Sequence, residues 1–92
     1  MLADVKAAMR ITVDVFDGEI LDLIASARAD MKRVGVLPAK ADDDADPLIR
    51  RGIIWYCKAY FGFDNADSEK AKQAYDFLRT DLALNVEYTA ST

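Results

Sequence analysis

Apolar residues recur at intervals of three and four along most of this chain, which is the spacing of one face of an α-helix. The clearest case predicts a helix over residues 17–34, with Asp17 as its N-cap and Gly35 as a left-handed stop. Its apolar stripe consists of Ile20, Leu23, Ile24, Ala27, Met31 and Val34. No long alternation of apolar and polar residues occurs in the sequence, so we expect no sheet.

Three further segments show helical spacing. A short amphipathic helix is predicted over residues 2–10, a central helix over 46–62 and another over 67–84. The central helix begins with Asp46 as N-cap and Pro47 at the first helical position, where the missing N–H costs nothing. Because its apolar positions cover more than half of its circumference, we expect it to be the most buried helix. The predicted fold is all-α, a bundle of three main helices plus a short N-terminal helix.

The remaining segments are a predicted loop over residues 35–45 and a predicted extended tail over 85–92. Both contain apolar residues in places that should be surface. These candidates for a partner interface are Val36, Leu37, Val86 and Tyr88. A segment that orders on a partner would have such residues, and so would ordinary packing across the ends of the bundle. The sequence leaves both interpretations open.

Size and composition narrow the function classes. The length of 92 residues fits one domain, and area bookkeeping leaves a chain of this size only marginally stable, so a partner subunit would be a natural reinforcement. Cys57 is the single cysteine and histidine is absent, so we expect no intramolecular disulfide, no thiolate zinc site and no cofactor. Without histidine the commonest general base is missing, and we expect no enzyme.

Charge and hydropathy limit the kinds of partner that we expect for this chain. The longest uncharged apolar stretch, Gly52 to Cys57, is far too short to cross a bilayer, so we expect no membrane contact and a cytoplasmic origin. The formal net charge of −4 argues against a protein that grips nucleic acid electrostatically. It is compatible with a protein that DNA merely passes.

Two charged clusters are candidate sites. Four aspartates, Asp42, Asp43, Asp44 and Asp46, could in principle hold a divalent cation, but the calcium-loop pattern fails and a solvated loop is the favoured interpretation. Arg50, Arg51 and Lys58 lie on the polar edge of the central helix. They could meet phosphate or an acidic partner surface, or they could simply solvate this apolar helix.

Aromatic residues are concentrated at the end of the central helix. They are Trp55, Tyr56, Tyr60, Phe61 and Phe63. Aromatic stripes at helical spacing usually belong to the core, and we expect this of Tyr56, Tyr60 and Phe63. Phe61 falls off the main stripes, and an exposed aromatic near arginine has the composition of an interface hot spot.

The order of these features resembles a known family. The residues that carry the resemblance are Met9-Arg10-Ile11, Asp14, Asp17, Ile20-Leu21, Leu23-Ile24, Ala25, Ala27, Gly35, the helix start at Asp46-Pro47, Ile53, Trp55-Tyr56 and Ala59-Tyr60. Over roughly residues 2–84 the chain is similar to the small head–tail connector, or adaptor, proteins of tailed bacteriophages and prophages.

The resemblance implies a structural virion protein that is made in the host cytoplasm and sits at the head–tail junction. Such connectors form a ring of about twelve copies beneath the portal. The ring extends the channel through which DNA passes without specific binding, and it docks the next connector or tail protein. On this reading the loop 35–45 and the tail contact neighbouring copies or the portal, and deletion of residues 86–92 impairs assembly rather than folding.

An alternative class stays open beside this one. A small helix-turn-helix type of nucleic-acid-binding protein, or a regulatory interaction protein, would use Arg50, Arg51 and Lys58 as its contact residues. The apolar character of the central helix and the net negative charge count against it.

Overall fold

A computed structural model describes residues 1–62 and 66–90, and within these ranges every regular element is a helix. The six helices are α1 (Leu2–Ala8), α2 (Asp17–Arg33), α3 (Pro38–Ala41), α4 (Pro47–Tyr60), α5 (Ala66–Leu84) and α6 (Val86–Thr89). The described residues therefore confirm the all-α class. The four helices predicted from the sequence correspond to α1, α2, α4 and α5, with ends that differ by one or two residues.

The central helix is α4, as its broad apolar surface predicted. Its start follows the sequence signal, because the Asp46 carboxylate Oδ1 accepts the backbone N–H of Leu48 at 2.9 Å and of Ile49 at 3.3 Å. The helix packs against α5, α2 and α1. Gly52 permits this packing, since a Cβ there would lie 2.6 Å from the Met31 methyl and 3.3 Å from a Leu78 methyl.

The core lies between α2, α4 and α5, and α1 covers one side of it. Its buried apolar side chains are Val5, Ile20, Ile24, Ala27, Met31, Val36, Ala41, Ile49, Ile53, Cys57, Tyr75, Leu82 and Tyr88. Tyr56 is half-buried and packs against this cluster. The prediction that Tyr60 is a core residue is wrong, because its side chain is 49% exposed near the last turn of α4. Phe63 lies outside the described residues.

The start of α2 differs from the prediction by one position. Phe16 occupies the N-cap and makes no side-chain capping bond, while Asp17 is the first helical residue. Its carboxylate instead pairs with Lys6 of α1, Oδ1 to Nζ at 2.8 Å. The acidic residue therefore ties two helices together, and it also suits the positive end of the α2 dipole.

Two helices end in the same backbone motif with different residues at its left-handed position. At the end of α2, Gly35 has φ 108 and the N–H of Val36 donates to the Met31 carbonyl at 3.0 Å. At the end of α1, the left-handed residue is Arg10 with φ 59, and the N–H of Ile11 donates to the Lys6 carbonyl at 2.9 Å. Arginine has a Cβ, so the second motif is strained where the first is not.

The prediction of an extended C-terminal tail is wrong for residues 86–89, because these residues form α6. Tyr88 explains the difference. Its side chain is only 7% exposed, its carbonyl accepts the N–H of Leu37 at 2.8 Å, and its hydroxyl donates to Asp46 Oδ1 at 3.0 Å. Leu37, Asp46 and Tyr88, called here the C-terminal closure, fasten the chain end onto the connection between α2 and α4.

The predicted loop over residues 35–45 is also more ordered than expected. Residues 38–41 form the single turn α3, which begins at Pro38. Val36 is buried before it and Ala41 is buried at its end, so the segment packs against the core. Of the two interpretations left open for these apolar residues, packing across the end of the bundle accounts for Val36 and Tyr88.

Candidate functional site

The outward face of α4 carries a depression, called here the α4 groove. It is lined by Pro47, Arg50, Arg51, Ile54, Trp55 and Lys58. With 3.6 residues per turn, these positions lie on the side of the helix opposite the buried Ile49 and Ile53. The groove therefore faces away from the core, and its lining combines an aromatic ring with basic side chains.

A second depression continues the α4 groove toward the start of α5. It shares Trp55 and Lys58 with the groove, and its other lining residues are Met9, Phe61, Asp67, Ser68 and Lys70. Phe61 is half-buried and meets Phe16 edge to face, with ring centroids 5.4 Å apart. The structure thus brings Arg50, Arg51, Lys58 and Phe61 together, four of the residues selected from the sequence.

The positive charge of the α4 groove is only partly compensated within the chain. Arg50 pairs with Asp4 of α1, Nη2 to Oδ1 at 3.2 Å. Lys58 lies over the Trp55 ring, with Nζ 5.4 Å from the centroid, which is a cation–π contact. Arg51 is exposed and has no ion pair among residues 1–62 and 66–90. Such a groove can accept an apolar side chain flanked by carboxylates or phosphates.

Trp55 lies in the groove, although it was not among the interface candidates selected from the sequence. The signal was present in its spacing, since Arg51, Trp55 and Lys58 follow at intervals of four and three and so share one helix face. A tryptophan flanked by cations on one face indicates a contact surface more strongly than either residue type does alone.

The outward face of α5 carries an unpartnered apolar strip, called here the α5 ridge. Its residues are Gln73, Asp76, Phe77, Thr80, Asp81 and Leu84. Phe77 is 81% exposed and Leu84 is 80% exposed, two turns apart on the same face. The buried Ala71, Tyr75 and Leu82 lie on the opposite side of the helix, against α4. The sequence analysis did not select Phe77, although it lies off the buried stripe of its helix.

The connection between α1 and α2 exposes a third set of apolar side chains. They are Val13, Val15, Phe16 and, in the first turns of α2, Leu21. The contact between Phe16 and Phe61 makes this set continuous with the second depression. Nothing in the described residues covers it.

The remaining interface candidates from the sequence lie in the connection between α2 and α4 and in α6. Val36 and Tyr88 are buried, Leu37 is half-buried, and Val86 is 71% exposed two residues after Leu84. A partner interface at these positions stays a prediction. For Tyr88 it would require the C-terminal closure to open, because the phenol is held by Asp46 and burial, followed by that hydrogen bond, raises its pKa to about 12.

The aspartate cluster after α3 is occupied by contacts within the chain. Asp42 pairs with Lys32 at 2.9 Å, Asp44 with Arg28, and Asp46 caps α4. The hydrogen bond from Arg28 is the main cause that lowers the pKa of Asp44. In residues 1–62 and 66–90 no three potential metal ligands lie close together. These carboxylates therefore organise the connection between α2 and α4.

A partly buried polar contact joins α2 to α5, called here the Asp30 junction. The Asp30 carboxylate accepts the Tyr75 hydroxyl at 2.6 Å, Arg79 Nη1 at 3.0 Å and Arg33 Nη2 at 2.7 Å. Burial raises the pKa of this carboxyl, but the hydrogen bonds from Tyr75, Arg33 and Arg79 outweigh it and leave the pKa below its usual value. No local pattern indicates this junction, since Tyr75 and Arg79 lie more than 40 positions from Asp30 in the chain.

Cys57 packs as a small apolar residue. Its side chain is fully buried in α4, and burial raises the pKa of the thiol to about 12. A thiol with so high a pKa is a poor nucleophile at neutral pH.

A helical chain with opposed, unpartnered outward surfaces has the features of a structural interaction protein. The family model described as phage connector protein matches residues 1–89, and the chain belongs to that family. No significant match occurs among curated proteins or among solved structures. Membership confirms the resemblance drawn from the sequence and gives the chain a structural role as a phage connector, located in the virion. No helix in the described ranges is both long and apolar enough to cross a membrane.

Proposed function

We propose that this protein forms a ring between the portal and the tail, where it extends the DNA channel and docks the next connector or tail protein. The observation that carries the proposal is the match to the phage connector family over residues 1–89. The ring holds about twelve copies, and each copy uses one surface to meet its left neighbour and a different surface to meet its right neighbour. The chain is made in the cytoplasm of the bacterial host and has no catalytic step of its own.

Two properties of the chain support this role. The α4 groove and the α5 ridge are distinct surfaces on different helices, which is what a heterologous ring contact requires. The formal net charge of −4 suits a channel wall, because a wall that repels phosphate offers no counterion release to make DNA bind. DNA then slides through without specific contacts.

The proposal is tested by electron microscopy of the portal protein with and without this chain. We expect additional ring-shaped density below the portal when the chain is added, with the rotational symmetry of the portal or close to it. A phage that lacks the gene should accumulate filled heads without tails. Portal particles that stay unchanged at saturating protein, together with normal tailed particles from the deletion phage, would contradict the proposal.

A second candidate function is nucleic-acid binding through the α4 groove, which is favoured by the convergence of Arg50, Arg51 and Lys58. If these cations neutralised three phosphates, the logarithm of the binding constant would fall with the logarithm of salt concentration with a slope of about −3. A titration of duplex DNA at several salt concentrations measures this slope. The triple variant with Arg50, Arg51 and Lys58 changed to glutamine is the control.

A further inference from the structure

The α5 ridge carries two of the most exposed large apolar side chains of the described residues. Phe77 and Leu84 are each about four-fifths exposed, and they align along one face with Gln73 and Thr80 between and beside them. Single exposed apolar residues are ordinary, but two large ones in register on a helix face form a contiguous surface of the kind found at protein interfaces. This surface lies on the side of α5 away from α4, and residues 1–62 and 66–90 leave Phe77 and Leu84 largely exposed.

The α4 groove has a lining of complementary composition. Ile54 and Trp55 contribute its apolar part, Arg50, Arg51 and Lys58 contribute its positive charge, and no carboxylate is among the lining residues. The lining of the α5 ridge carries Asp76 and Asp81 and no cation. The apolar parts of the two surfaces therefore match, and the charges around them have opposite sign.

Some of these charges already have partners within the chain. Arg50 pairs with Asp4 at 3.2 Å, and Asp76 pairs with Arg79 at 3.7 Å, but both pairs are exposed and weak enough to be exchanged. Arg51 and Asp81 have no ion pair in the described part of the chain. At least one cation of the groove and one carboxylate of the ridge are thus available to a neighbour.

The placement of the two surfaces decides how they can meet. The groove lies on the side of α4 turned away from the core, and the ridge lies on the side of α5 turned away from α4. Because α4 and α5 pack directly on each other, the two surfaces lie on opposite sides of the helix pair and cannot touch within one molecule. Contact between them joins separate copies head to tail, and such a contact repeats from copy to copy and gives a ring when the rotation between copies closes.

We propose that the α5 ridge of one copy fills the α4 groove of the next copy, with Phe77 and Leu84 against Ile54 and Trp55 and with Asp76 and Asp81 facing Arg51 and Lys58. The proposal rests on the proposed function, since it identifies the surfaces that build the ring. It commits to a second copy of this chain as the occupant of the groove, in preference to nucleic acid or an unrelated partner.

Disulfide trapping between two differently marked chains tests the contact even where association is weak. One chain carries Thr80→Cys on the ridge and the other carries Ile54→Cys in the groove, while buried Cys57 stays in place. We expect the mixed ridge–groove dimer to form at least about tenfold more than either homodimer under mild oxidation. Ala29→Cys, on the exposed side of α2, replaces Thr80→Cys in the matched control.

Charge reversal adds a second measurement that a general effect on folding would not imitate. Arg51→Glu with Lys58→Glu on the groove chain should lower the yield of the mixed dimer. Asp76→Lys with Asp81→Lys on the ridge chain should restore it, because the opposed charges are regained in reversed order. Circular dichroism of each variant verifies that the helices are intact.

The outcomes separate this inference from the proposed function. Equal yields of mixed and homodimeric species, or a yield no higher than that of the Ala29→Cys control, overturn the ridge–groove contact. So does protection of the groove cysteine by duplex DNA in place of a second copy, which would assign the groove to nucleic acid. If a ring is seen below the portal while trapping fails, the function stands and the surfaces are wrong; if no ring is seen, the function itself fails.

Discussion

Tyr88 of the C-terminal closure and Phe77 of the α5 ridge are only eleven positions apart in the sequence, yet one is enclosed by the fold and the other is exposed. Tyr88 is 7% exposed, and its backbone N–H, its carbonyl and its hydroxyl all have hydrogen-bond partners, whereas Phe77 is 81% exposed and lies on an open helix face. Both are aromatic residues in the last quarter of the chain. Tyr88 therefore has its contacts inside the molecule, whereas Phe77 is available to a partner outside it. Substitutions in the two regions should therefore separate stability from association.

The largest expected effect follows from Tyr88→Ala. Removing a buried aromatic side chain typically costs about 3–5 kcal/mol, and here it also leaves Asp46 without the hydroxyl that it accepts. Tyr88→Phe keeps the ring and removes only the hydrogen bond, so it should cost about 1 kcal/mol. Urea unfolding followed by circular dichroism measures both values. A loss from Tyr88→Ala no larger than that from Tyr88→Phe would show that the ring does not close the core.

The C-terminal closure also changes the effect that we expect from deleting residues 86–92. The sequence analysis expected that deletion of residues 86–92 would spare folding and impair assembly. The structure places a buried residue of α6 in that segment, so deletion should destabilise the fold by an amount similar to Tyr88→Ala. Val86→Ser is the matched control, because Val86 is 71% exposed and its substitution leaves the closure intact.

The next largest effect is expected at the Asp30 junction, which is as self-contained as the closure. Asp30→Asn removes the charge that Tyr75, Arg33 and Arg79 share and should cost about 1–3 kcal/mol at neutral pH. The pKa of Asp30 is lowered in the folded state, so its contribution is complete above the usual carboxyl value and is lost as the pH falls through the lowered value. The difference between the two proteins should therefore shrink below about pH 4.

Unfolding curves in urea at about pH 7, 5 and 3 measure this pH dependence. Asp22→Asn is the control, since Asp22 is exposed on the same helix and should change the curves by less than about 0.5 kcal/mol. A penalty for Asp30→Asn that stays constant down to the lowest pH would contradict the sign derived for this carboxyl.

The extent to which the sequence predicted these regions depends on whether the signal was local. The cap at Asp46, the stop at Gly35 and the helical spacing of α2, α4 and α5 are set by residues within a few positions of one another, and the structure confirms this cap, this stop and these three helices. The C-terminal closure and the Asp30 junction join residues more than 40 positions apart in the chain. No spacing rule indicates such contacts, so the tail was predicted as extended.

The α4 groove and the α5 ridge were predicted only in part, because here too only local signals are visible in the sequence. The basic residues of α4 were found because charge on an apolar helix is conspicuous, but the ridge was missed because the exposure of Phe77 depends on which neighbours α5 lacks. The absence of a partner is a property of the whole fold.

A smaller change in the free energy of unfolding, this time an increase in stability, is expected from a substitution at the end of α1. Arg10 adopts the left-handed conformation that glycine adopts at Gly35, and a side chain there costs about 1–2 kcal/mol. Glycine also loses more conformational entropy on folding, so Arg10→Gly should stabilise the protein by a net amount of about 0.5–1 kcal/mol. Gly35→Ala is the mirror experiment and should destabilise the protein. A destabilised Arg10→Gly variant would show that the arginine side chain makes a contact worth more than the strain.

The smallest effect on stability is expected for substitutions in the exposed α5 ridge. Phe77→Ser and Leu84→Ser alter side chains that are about four-fifths exposed, so each should change the free energy of unfolding by less than about 0.5 kcal/mol. If the ridge fills the groove of a neighbouring copy, the same variants should abolish ring formation on the portal, whereas Tyr88→Phe should leave it intact. Unfolding in urea and electron microscopy of portal mixtures give the two readouts. A ridge variant that loses stability as Tyr88→Ala does would mean that Phe77 belongs to the monomer core, and the distinction between the closed and the open region would collapse.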